Sequence, residues 1–421
     1  MKKVIFHIDV NSAFLSWEAA NRLKENPQGE DLRLLTAAVG GDQQKRHGII
    51  LAKSISAKKF GVRTGESILE ARKKCPHLLL VPANYPLYRE YSQAFQKILR
   101  EYTPDVEPFS IDEAFMDMTG TQLLFGEPLQ AAETIRRRMK EELGFTVNIG
   151  ISSNKLLAKM ASDFEKPDKI HTLFPEEIQE KMWHLPVEQL FFVGRATAGK
   201  LHQMGIETIG DLAKTEKSLL KKLLKKQGET IWNFANGIDF SVVQSQPVSN
   251  KGYGNSTTMS FDVTDADTAK TVLLALSETV GTRLREHQVL AEAISVEIKD
   301  TRLKSLSHQC TLDCPTDITN EIYQTAGRLF EEAWNGSPIR LLGVSAIRVT
   351  SSRNSRQLGL FDTQDYEKWE KLDDAIDKIR GKYGKDSIQR AAFLNKKNID
   401  HMYGKRLKFQ FTDGEKEDSD K

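Results

Sequence analysis

The spacing of apolar residues predicts alternating strands and helices over residues 4–164. Val4, Phe6 and Ile8 fall on one face of a first strand, which ends on the carboxylate of Asp9. Later segments fit, in order, helix (13–23), helix (87–102), strand (110–117), helix (129–143), strand (146–151) and helix (155–164). This order predicts an α/β unit built around one sheet, which the first strand joins across an insertion at 14–82.

The rest of the chain predicts a helical region, a linker and a second unit. Residues 175–236 fit short helices with glycine turns, and 240–252 is poor in large apolar residues. A βαββαβ pattern follows: strand (256–262), helix (267–286), strand (293–299), strand (307–313), helix (318–333) and strand (343–350). A last helix is predicted over 366–383, where Trp369, Leu372 and Ile376 form an apolar face that needs a cover.

Length and composition exclude several classes of protein. The chain has 421 residues, 39% of them hydrophobic, which is enough for several domains with real cores. No segment approaches the roughly eighteen uninterrupted apolar residues of a membrane span. Three cysteines, Cys75, Cys310 and Cys314, are too few for a disulfide framework and lack the neighbours of a zinc site. They indicate core residues in a reducing compartment, so we expect a cytoplasmic protein.

Charge is distributed unevenly, although the net charge is only +2. Residues 14–82 carry 12 Lys/Arg against 7 Asp/Glu, giving +5, whereas 253–350 carry 9 against 13, giving −4. The basic side chains between Lys45 and Lys74 fit either a solvated face or a phosphate-binding surface. The overall balance therefore neither requires nor excludes a nucleic-acid partner.

Three acids stand in or at the end of predicted strands, where acids are disfavoured. Asp9 ends the first strand, and Asp112 with Glu113 falls within another. Successive strand residues face opposite sides, so Asp112 and Glu113 reach one site only if their strand bends. Clustered carboxylates are the usual holders of two Mg²⁺ ions in phosphoryl transfer. On spacing alone, a structural ion-pair network with the many lysines stays open as the alternative.

Three sequence motifs are more specific than this spacing. They occur in the order IDVNSAF (8–14), SIDEAFMD (110–117) and GISSNK (150–155), and they resemble the Y-family translesion DNA polymerases, closest to the bacterial polymerase IV type. The resemblance covers about residues 1–350. It implies an α/β multidomain, right-hand polymerase with an α+β palm, small fingers, a helical thumb, a βαββαβ little finger and a helical tail.

The resemblance also implies domain boundaries. These are palm 1–13 and 83–166, fingers 14–82, thumb 167–240 with a helix–hairpin–helix, linker 241–252, little finger 253–350 and tail 351–421. The implied reaction is low-fidelity, DNA-templated nucleotidyl transfer with two metal ions, acting in DNA damage tolerance and repair. Its implied partners are primer–template DNA and a dNTP, and we expect a monomer.

Site residues follow from the resemblance one at a time. Asp9, Asp112 and Glu113 are the implied catalytic metal ligands, with the backbone carbonyl of Val10, for Mg²⁺ or alternatively Mn²⁺. Phe14 is the implied steric gate that leaves no room for a 2′-OH. The implied contacts to the nucleotide are Ser12, Ala13, Phe14, Lys58 and Lys155, and those to DNA are Gly194 and Arg195.

The chain departs from the family pattern in the fingers and in the thumb. Ala52, Ile55 and Lys58 stand where relatives usually have Thr, Tyr and Arg over the triphosphate. Lys58 keeps the charge but loses the bidentate fork of Arg, which predicts weaker nucleotide affinity. Phe192 replaces the usual first glycine of the hairpin. We therefore carry over only Gly194 and Arg195.

A short segment after the little finger resembles the peptide that binds the bacterial sliding clamp. In that peptide a Gln anchors and a Leu-Phe pair fills an apolar pocket. The implied clamp-binding residues are Gln357, Leu358, Leu360 and Phe361. Docking of this segment on the tail helix of the same chain is the alternative.

Two other functions compete with the polymerase. Gly40, Gly41 and Asp42 superficially resemble the signature of palm-like nucleotide cyclases, although no Glu-Phe follows them. Ala52 and Ile55 are also compatible with a catalytically weak DNA-binding scaffold of the same fold.

Overall fold

The computed structural model describes residues 3–41, 48–246, 249–351 and 366–394. These residues form two compact units. The first unit contains residues 3–41 and 49–246, and the second contains 249–351 and 366–394. Within the described residues, no helix is long and apolar enough to cross a membrane.

The first unit alternates strands and helices and then becomes helical. Its elements are β1 Ile5–Val10, α1 Ala13–Glu25, β2 Ala37–Gly40, β3 Ile50–Lys53, α2 Ile55–Lys59, α3 Ile68–Lys74, β4 Leu79–Pro82, α4 Tyr85–Arg100, β5 Val106–Pro108, β6 Glu113–Asp117, α5 Gln122–Phe125, α6 Pro128–Leu143, β7 Val147–Ser152, α7 Lys155–Ser162, β8 Ile170–Thr172, α8 Ile178–Lys181, α9 Arg195–His202, α10 Ile209–Lys214, α11 Lys217–Leu224 and α12 Lys226–Ala235. Short 3₁₀ turns cover Pro175–Glu177 and Val187–Gln189.

Five strands of the first unit form one sheet in the order β5-β6-β1-β7-β8. β1 lies at its centre and pairs antiparallel with both β6 and β7. Phe6 and Ile8 enter the main core with α4 and α6, whereas Ile5 packs with Phe115 and Ala158 of α7 on the other face. The predicted alternation in β1, and its place in this sheet, are therefore confirmed.

Helix α7 lies unusually close to the sheet because β7 has a glycine beneath it. A Cβ built on Gly150 would stand 1.9 Å from the carbonyl oxygen of Ala158 and 2.5 Å from the backbone nitrogen of Ser162. Only a residue without a side chain permits this approach. The helix begins after Asn154, whose side chain caps it by accepting from the backbone N–H of Leu157 at 2.8 Å.

The insertion between β1 and α4 forms a small sheet of its own, in the order β3-β2-β4. Helices α2 and α3 cover this sheet, and its core contains only a few side chains, among them Ile50, Val62 and Ile68. The insertion thus has elements of its own, among them β3 at Ile50–Lys53 and α2 at Ile55–Lys59. Helices α8 to α12 enclose a third core around Leu201, Ile209 and Ile231.

The second unit is the predicted βαββαβ fold. Its elements are β9 Gly252–Val263, α13 Ala266–Glu286, β10 Leu290–Asp300, β11 Ser305–Thr316, α14 Thr319–Ala333, β12 Ile339–Thr350 and α15 Tyr366–Tyr383, followed by a 3₁₀ turn at Ala391–Phe393. The strands form an antiparallel sheet in the order β11-β10-β12-β9, with α13 and α14 packed into its core.

The tail helix α15 docks through buried charges as well as through part of the predicted apolar face. Its buried residues are Asp373 and Arg380. Trp369 and Ile376 are half-buried, as predicted, whereas Leu372 is 48% exposed. Two buried ion-pair groups connect the tail to α13. Glu278 pairs with Arg380 at 3.2 Å and with Arg390 at 2.6 Å, while Arg285 pairs with Asp373 at 3.1 Å and with Asp377 at 2.6 Å.

Candidate active site

Two central strands bring the first and last of the predicted metal ligands side by side. Asp9 lies opposite Glu113 in the antiparallel register of β1 and β6. The backbone N–H of Val10 donates to the carbonyl of Asp112 at 3.0 Å, which carries the contact one residue beyond the strand. Because Phe6 and Ile8 occupy the core face, the alternation of β1 places Asp9 on the side covered by α7.

Asp112 does not lie in the strand, and this corrects the prediction of a strand over 110–117. Strand β6 begins at Glu113, and Ser110, Ile111 and Asp112 form a bend before it. The hydroxyl of Ser110 donates to Asp112 Oδ1 at 2.6 Å and fixes this bend. Asp112 and Glu113 are therefore not forced onto opposite faces of the sheet, as neighbouring residues within a strand would be. Burial raises the pKa of Asp112, and the nearby charge of Glu113 adds to the increase.

Two lysines neutralise the carboxylates of β1 and β6. Lys166 Nζ lies 2.5 Å from Asp9 Oδ2, and Lys159 Nζ lies 3.0 Å from Glu113 Oε1. Burial raises the pKa of Asp9 to about 7 even though Lys166 opposes the increase. For Glu113, burial acts in the same direction, but the ammonium of Lys159, 3.0 Å away, outweighs it and holds the pKa below its usual range. Glu113 is thus ionised at neutral pH, whereas Asp9 exchanges a proton there.

His7 is fully buried beside these carboxylates. Its Nδ1 lies 2.8 Å from Ser162 Oγ, and its Nε2 lies 3.8 Å from Glu113 Oε2, beyond hydrogen-bond distance. Nε2 has no hydrogen-bond partner. Burial lowers the pKa of His7 to about 4, so the ring is neutral at pH 7.

The donor set fits a hard divalent cation. Asp9, Asp112 and Glu113 supply carboxylate oxygens, the ligands that Mg²⁺ prefers. Among the residues that the structure describes, no three His, Cys, Asp or Glu side chains are already arranged as a metal cluster. The reason is that these carboxylates are turned towards Lys166, Lys159 and the hydroxyl of Ser110. A cation would therefore bind by replacing ammonium groups that already compensate the negative charge.

Phe14 lies close to the carboxylates along the chain, in the first turn of α1. Its ring stacks on Tyr88 with centroids 4.6 Å apart and planes at 15°. The hydroxyl of Tyr88 donates to the buried carboxylate of Glu18 at 2.9 Å, which fixes the ring beneath Phe14. Ser12 adopts left-handed backbone angles (φ 50°, ψ 47°) just before the helix, and Ala13 is buried. Phe14 is half-buried, so one side of its ring can meet a ligand.

Lys155, the predicted triphosphate lysine, is engaged elsewhere. Its ammonium lies 2.7 Å from both carboxylate oxygens of Glu107 and 4.8 Å from the centroid of the Phe115 ring. The lysines that contact the carboxylates of β1 and β6 are Lys159 and Lys166 instead. The structure therefore does not bring Lys155 onto the predicted metal ligands.

The sequence interpretation missed three residues of the site: His7, Lys159 and Lys166. Lys159 stands one helical turn after Lys155, so helical spacing offered a signal for it. His7 stands two residues before Asp9, on the same face of the strand. Lys166 follows the end of α7 and carries no local signal, since its contact with Asp9 spans 157 residues of sequence.

The insertion carries Lys53 at the end of β3 and Lys58 in α2. Burial lowers the pKa of Lys53, and the charge of Lys58 lowers it further. The ammonium of Lys53 donates to the hydroxyl of Thr64 at 3.1 Å. Ser54 caps α2 by accepting from the backbone N–H of Ala57, and Ile55 beside it is 53% exposed. Two positive charges attract an anion more strongly than either lysine would alone.

The thumb hairpin forms despite its missing glycine. Phe192 has a φ of 71°, the left-handed conformation that a glycine would adopt without strain. Gly194 then caps α9, which begins at Arg195, and a Cβ built on Gly194 would meet nothing within 4 Å. The backbone of the turn therefore stays open to a ligand.

The remaining predictions concern a clamp peptide and the cysteines. The predicted clamp-binding residues Gln357, Leu358, Leu360 and Phe361 fall outside the described residues. Among the cysteines, Cys75 is buried, and Cys310 and Cys314 are half-buried.

Comparisons with known proteins cover most of the chain. The impB/mucB/samB family matches residues 8–163, and the C-terminal domain of that family matches 250–360. The thumb domain of DNA polymerase-iota matches 189–239. A Y-family DNA polymerase chimera of known structure superimposes with a TM-score of 0.70 over 83% of this chain and 100% of its own, at 21% identity. The right-hand polymerase fold is thus confirmed.

Curated relatives match over nearly their whole length. DNA polymerase IV of Clostridium acetobutylicum is 45% identical over 94% of this chain and 99% of its own. DNA polymerase IV of Acetivibrio thermocellus is 40% identical, over 96% and 100%. DNA polymerase IV 1 of Bacillus subtilis is 37% identical, over 94% of each chain. The chain accordingly belongs to the impB/mucB/samB family of Y-family DNA polymerases, in its bacterial polymerase IV group.

Proposed function

We propose that this protein is a DNA-directed DNA polymerase of the translesion type, acting in DNA damage tolerance and repair. The 3′-OH of a primer attacks the α-phosphate of a dNTP, and pyrophosphate leaves. The observation that carries the proposal is that Asp9, at the end of β1, lies opposite Glu113 at the start of the neighbouring strand β6, with Asp112 just before it. Phe14 follows Asp9 by five residues and has one exposed side. Full-length similarity to several polymerases IV supports it.

Y-family polymerases depend on divalent metal ions. In this chain Asp9, Asp112, Glu113 and the carbonyl oxygen of Val10 would hold two Mg²⁺ ions, with Mn²⁺ as the alternative. Such ions activate the attacking oxygen and neutralise the charge that develops on the leaving group. Lys159 keeps Glu113 ionised before metal arrives, because its ammonium lies on one carboxylate oxygen.

Lys166 is the better candidate for the triphosphate contact. Its ammonium is bound to Asp9 at 2.5 Å, and a cation on Asp9 would release it beside the site where phosphates must lie. Lys58 and its neighbour Lys53 would meet the phosphates from the fingers, with Ser12 and Ala13 beneath the nucleotide. The contact predicted for Lys155 requires that it leave Glu107.

The ring of Phe14 would exclude a 2′-OH. It rests on Tyr88, which cannot yield because its hydroxyl is fixed to Glu18, so the ring has no space to retreat. The small core of the fingers sheet leaves the opposite side of the nucleotide loosely enclosed, which suits the acceptance of damaged templates.

The remaining contacts are those with DNA and with a clamp. The turn at Gly194 and Arg195 would hold a DNA phosphate through backbone N–H groups, without reading sequence. Gln357, Leu358, Leu360 and Phe361 would bind the sliding clamp. We expect the polymerase itself to be a cytoplasmic monomer. Leu360→Ala with Phe361→Ala should remove clamp-stimulated synthesis and spare clamp-independent extension.

Primer extension with Mg²⁺ tests the proposal. Asp112→Ala should abolish extension while primer–template affinity stays within about threefold. Asp117→Asn is the matched control, because Asp117 ends β6, the strand that follows Asp112, and its carboxylate accepts from the backbone N–H of Thr119. Extension by Asp112→Ala at the wild-type rate would refute the assignment. Cyclic dinucleotide made from GTP, or DNA binding without synthesis by the wild type, would favour the cyclase or the scaffold.

A further inference from the structure

His7 has a buried nitrogen that no described contact uses. The ring is completely buried, between the Phe115 ring at 4.6 Å and the hydroxyl of Ser162. Its Nε2 is aimed at Glu113 Oε2, 3.8 Å away, and has no hydrogen-bond partner. Buried polar atoms are rarely left in this state, and each such atom calls for a physical reason.

The surroundings of Nδ1 decide where the single hydrogen of the neutral ring lies. Ser162 Oγ is 2.8 Å from His7 Nδ1 and 2.8 Å from the carbonyl oxygen of Lys159. A hydroxyl has one hydrogen, so it donates to one of these two acceptors at a time. If it donates to Lys159, then Nδ1 must carry the ring hydrogen, and the lone pair of Nε2 faces a carboxylate. If it donates to Nδ1, then Nε2 carries the hydrogen and points it at Glu113.

The charge of Glu113 selects the second arrangement. An ionised carboxylate repels a lone pair and attracts an N–H group. A movement of the Glu113 carboxylate by about 1 Å would bring Oε2 within hydrogen-bond distance of Nε2. Lys159 already holds the other oxygen, Oε1, at 3.0 Å. The two oxygens of Glu113 would then each have one fixed donor.

We propose that His7 is a positioning residue, whose Nε2–H, set by the hydroxyl of Ser162, orients Glu113 for the divalent cation. The chain Ser162–His7–Glu113 acts on the metal ligand from behind, as hydrogen bonds to metal ligands do in other proteins. Gly150 makes the chain available, because it pairs with His7 in the sheet and lets α7 bring Ser162 over the ring. This inference rests on the proposed role of Glu113 as a metal ligand.

Two substitutions of similar size separate positioning from packing. In His7→Gln the amide nitrogen takes the place of Nε2 and can still donate to Glu113. In His7→Asn the amide reaches only the place of Nδ1, so the contact with Ser162 is kept and the one with Glu113 is lost. The probe is Mn²⁺ alone, titrated against the full chain by electron paramagnetic resonance without dNTP. Melting temperature and primer–template affinity are recorded for both variants.

We expect His7→Asn to weaken Mn²⁺ binding about tenfold and to lower kcat by a similar factor, with KM for dNTP little changed. His7→Gln should stay within about threefold of the wild type. Equal losses in both variants, or no loss in either, would overturn the proposal. If Asp112→Ala abolishes Mn²⁺ binding and His7→Asn binds Mn²⁺ as the wild type does, this inference alone is overturned. Wild-type protein that binds no Mn²⁺ would overturn the proposed metal site as well.

The position of this hydrogen can be observed in the wild-type protein. Nitrogen-15 chemical shifts of the labelled imidazoles distinguish the two neutral tautomers, and His7→Gln identifies the signal of His7 among the nine histidines. The proposal requires the hydrogen on Nε2, and a signal from the other tautomer would contradict it. Ser162→Ala keeps the ring and removes the hydroxyl. It should populate the tautomer with the hydrogen on Nδ1 and weaken Mn²⁺ binding several-fold, and an unchanged spectrum and affinity would count against the relay.

Discussion

Replacing Glu278 with Gln should release the tail from the helix that it covers. The carboxylate of Glu278 is 3% exposed and is the acidic partner of both Arg380 and Arg390. Gln keeps the size and removes the charge, which leaves Arg380 buried without an acid. Breaking a buried ion pair from one side costs about 3 to 5 kcal/mol.

The lower end of that range applies here, because each arginine keeps another acceptor. Arg380 also donates to the carbonyl of Ile388 at 3.1 Å, and Arg390 lies 3.5 Å from Asp373. We therefore expect a loss of about 3 kcal/mol, roughly a hundredfold in the docking equilibrium of the tail.

Limited proteolysis of the full chain measures this loss. Cleavage within 366–394, followed by mass spectrometry, should accelerate strongly in Glu278→Gln while 249–351 stays resistant. Glu367→Gln is the matched control, because its pair with Lys371 lies on the exposed face of α15 and contributes little. A double-mutant cycle with Arg380→Met isolates the pair itself. Cleavage of Glu278→Gln at the wild-type rate would show that apolar contacts hold the tail, and the reasoning would fail.

Three further predictions concern the active site. Phe14→Ala should raise the incorporation of ribonucleotides relative to deoxyribonucleotides by about ten- to a hundredfold, the order expected when a steric clash is removed. An unchanged ratio in single-nucleotide assays would show that the ring only packs in the core. Ile55→Tyr with Lys58→Arg should lower KM for dNTP, because a hydroxyl donor and a bidentate fork are restored, and a higher KM would indicate a different phosphate cradle. Since burial raises the pKa of Asp9 to about 7, protons compete with metal below that pH. Mn²⁺ affinity should therefore increase about tenfold from pH 6 to pH 8, and a flat profile would contradict the shift.

The sequence predicted the strands that carry the active-site residues, but it did not predict which groups contact the carboxylates. Alternation in β1 identified the face that carries Asp9, and the order of elements identified the sheet that β1 joins. The bend at Asp112 could not be predicted, because it depends on the hydroxyl of Ser110 and on a hydrogen bond from Val10 in another strand. The contact of Lys166 with Asp9 was missed for the same reason.

At two places the structure adds what the sequence pattern did not contain. Helical spacing indicated an apolar face on the tail helix, but it gave no sign of the buried charges Asp373 and Arg380 that also dock the helix. The hairpin of the thumb lacks its usual first glycine, yet Phe192 adopts the left-handed conformation there. Its carbonyl accepts from the side chain of Gln227 at 2.9 Å, a contact 35 residues away in sequence. Domain boundaries and the clamp peptide stay predictions.

The close approach of α7 to the sheet at Gly150 makes one part of the active site more rigid than another. The distance between sheet and helix there is set by backbone atoms, so thermal motion of side chains cannot loosen it. Lys159, which contacts Glu113, and Ser162, which contacts His7, both belong to α7 and share that stiffness. The fingers, in contrast, rest on a small core of their own. A polymerase built this way can hold its reacting groups in fixed positions while the incoming base is only loosely enclosed. Substitutions near α7 would then change the rate of bond formation, and substitutions in the fingers would change the accuracy of base selection.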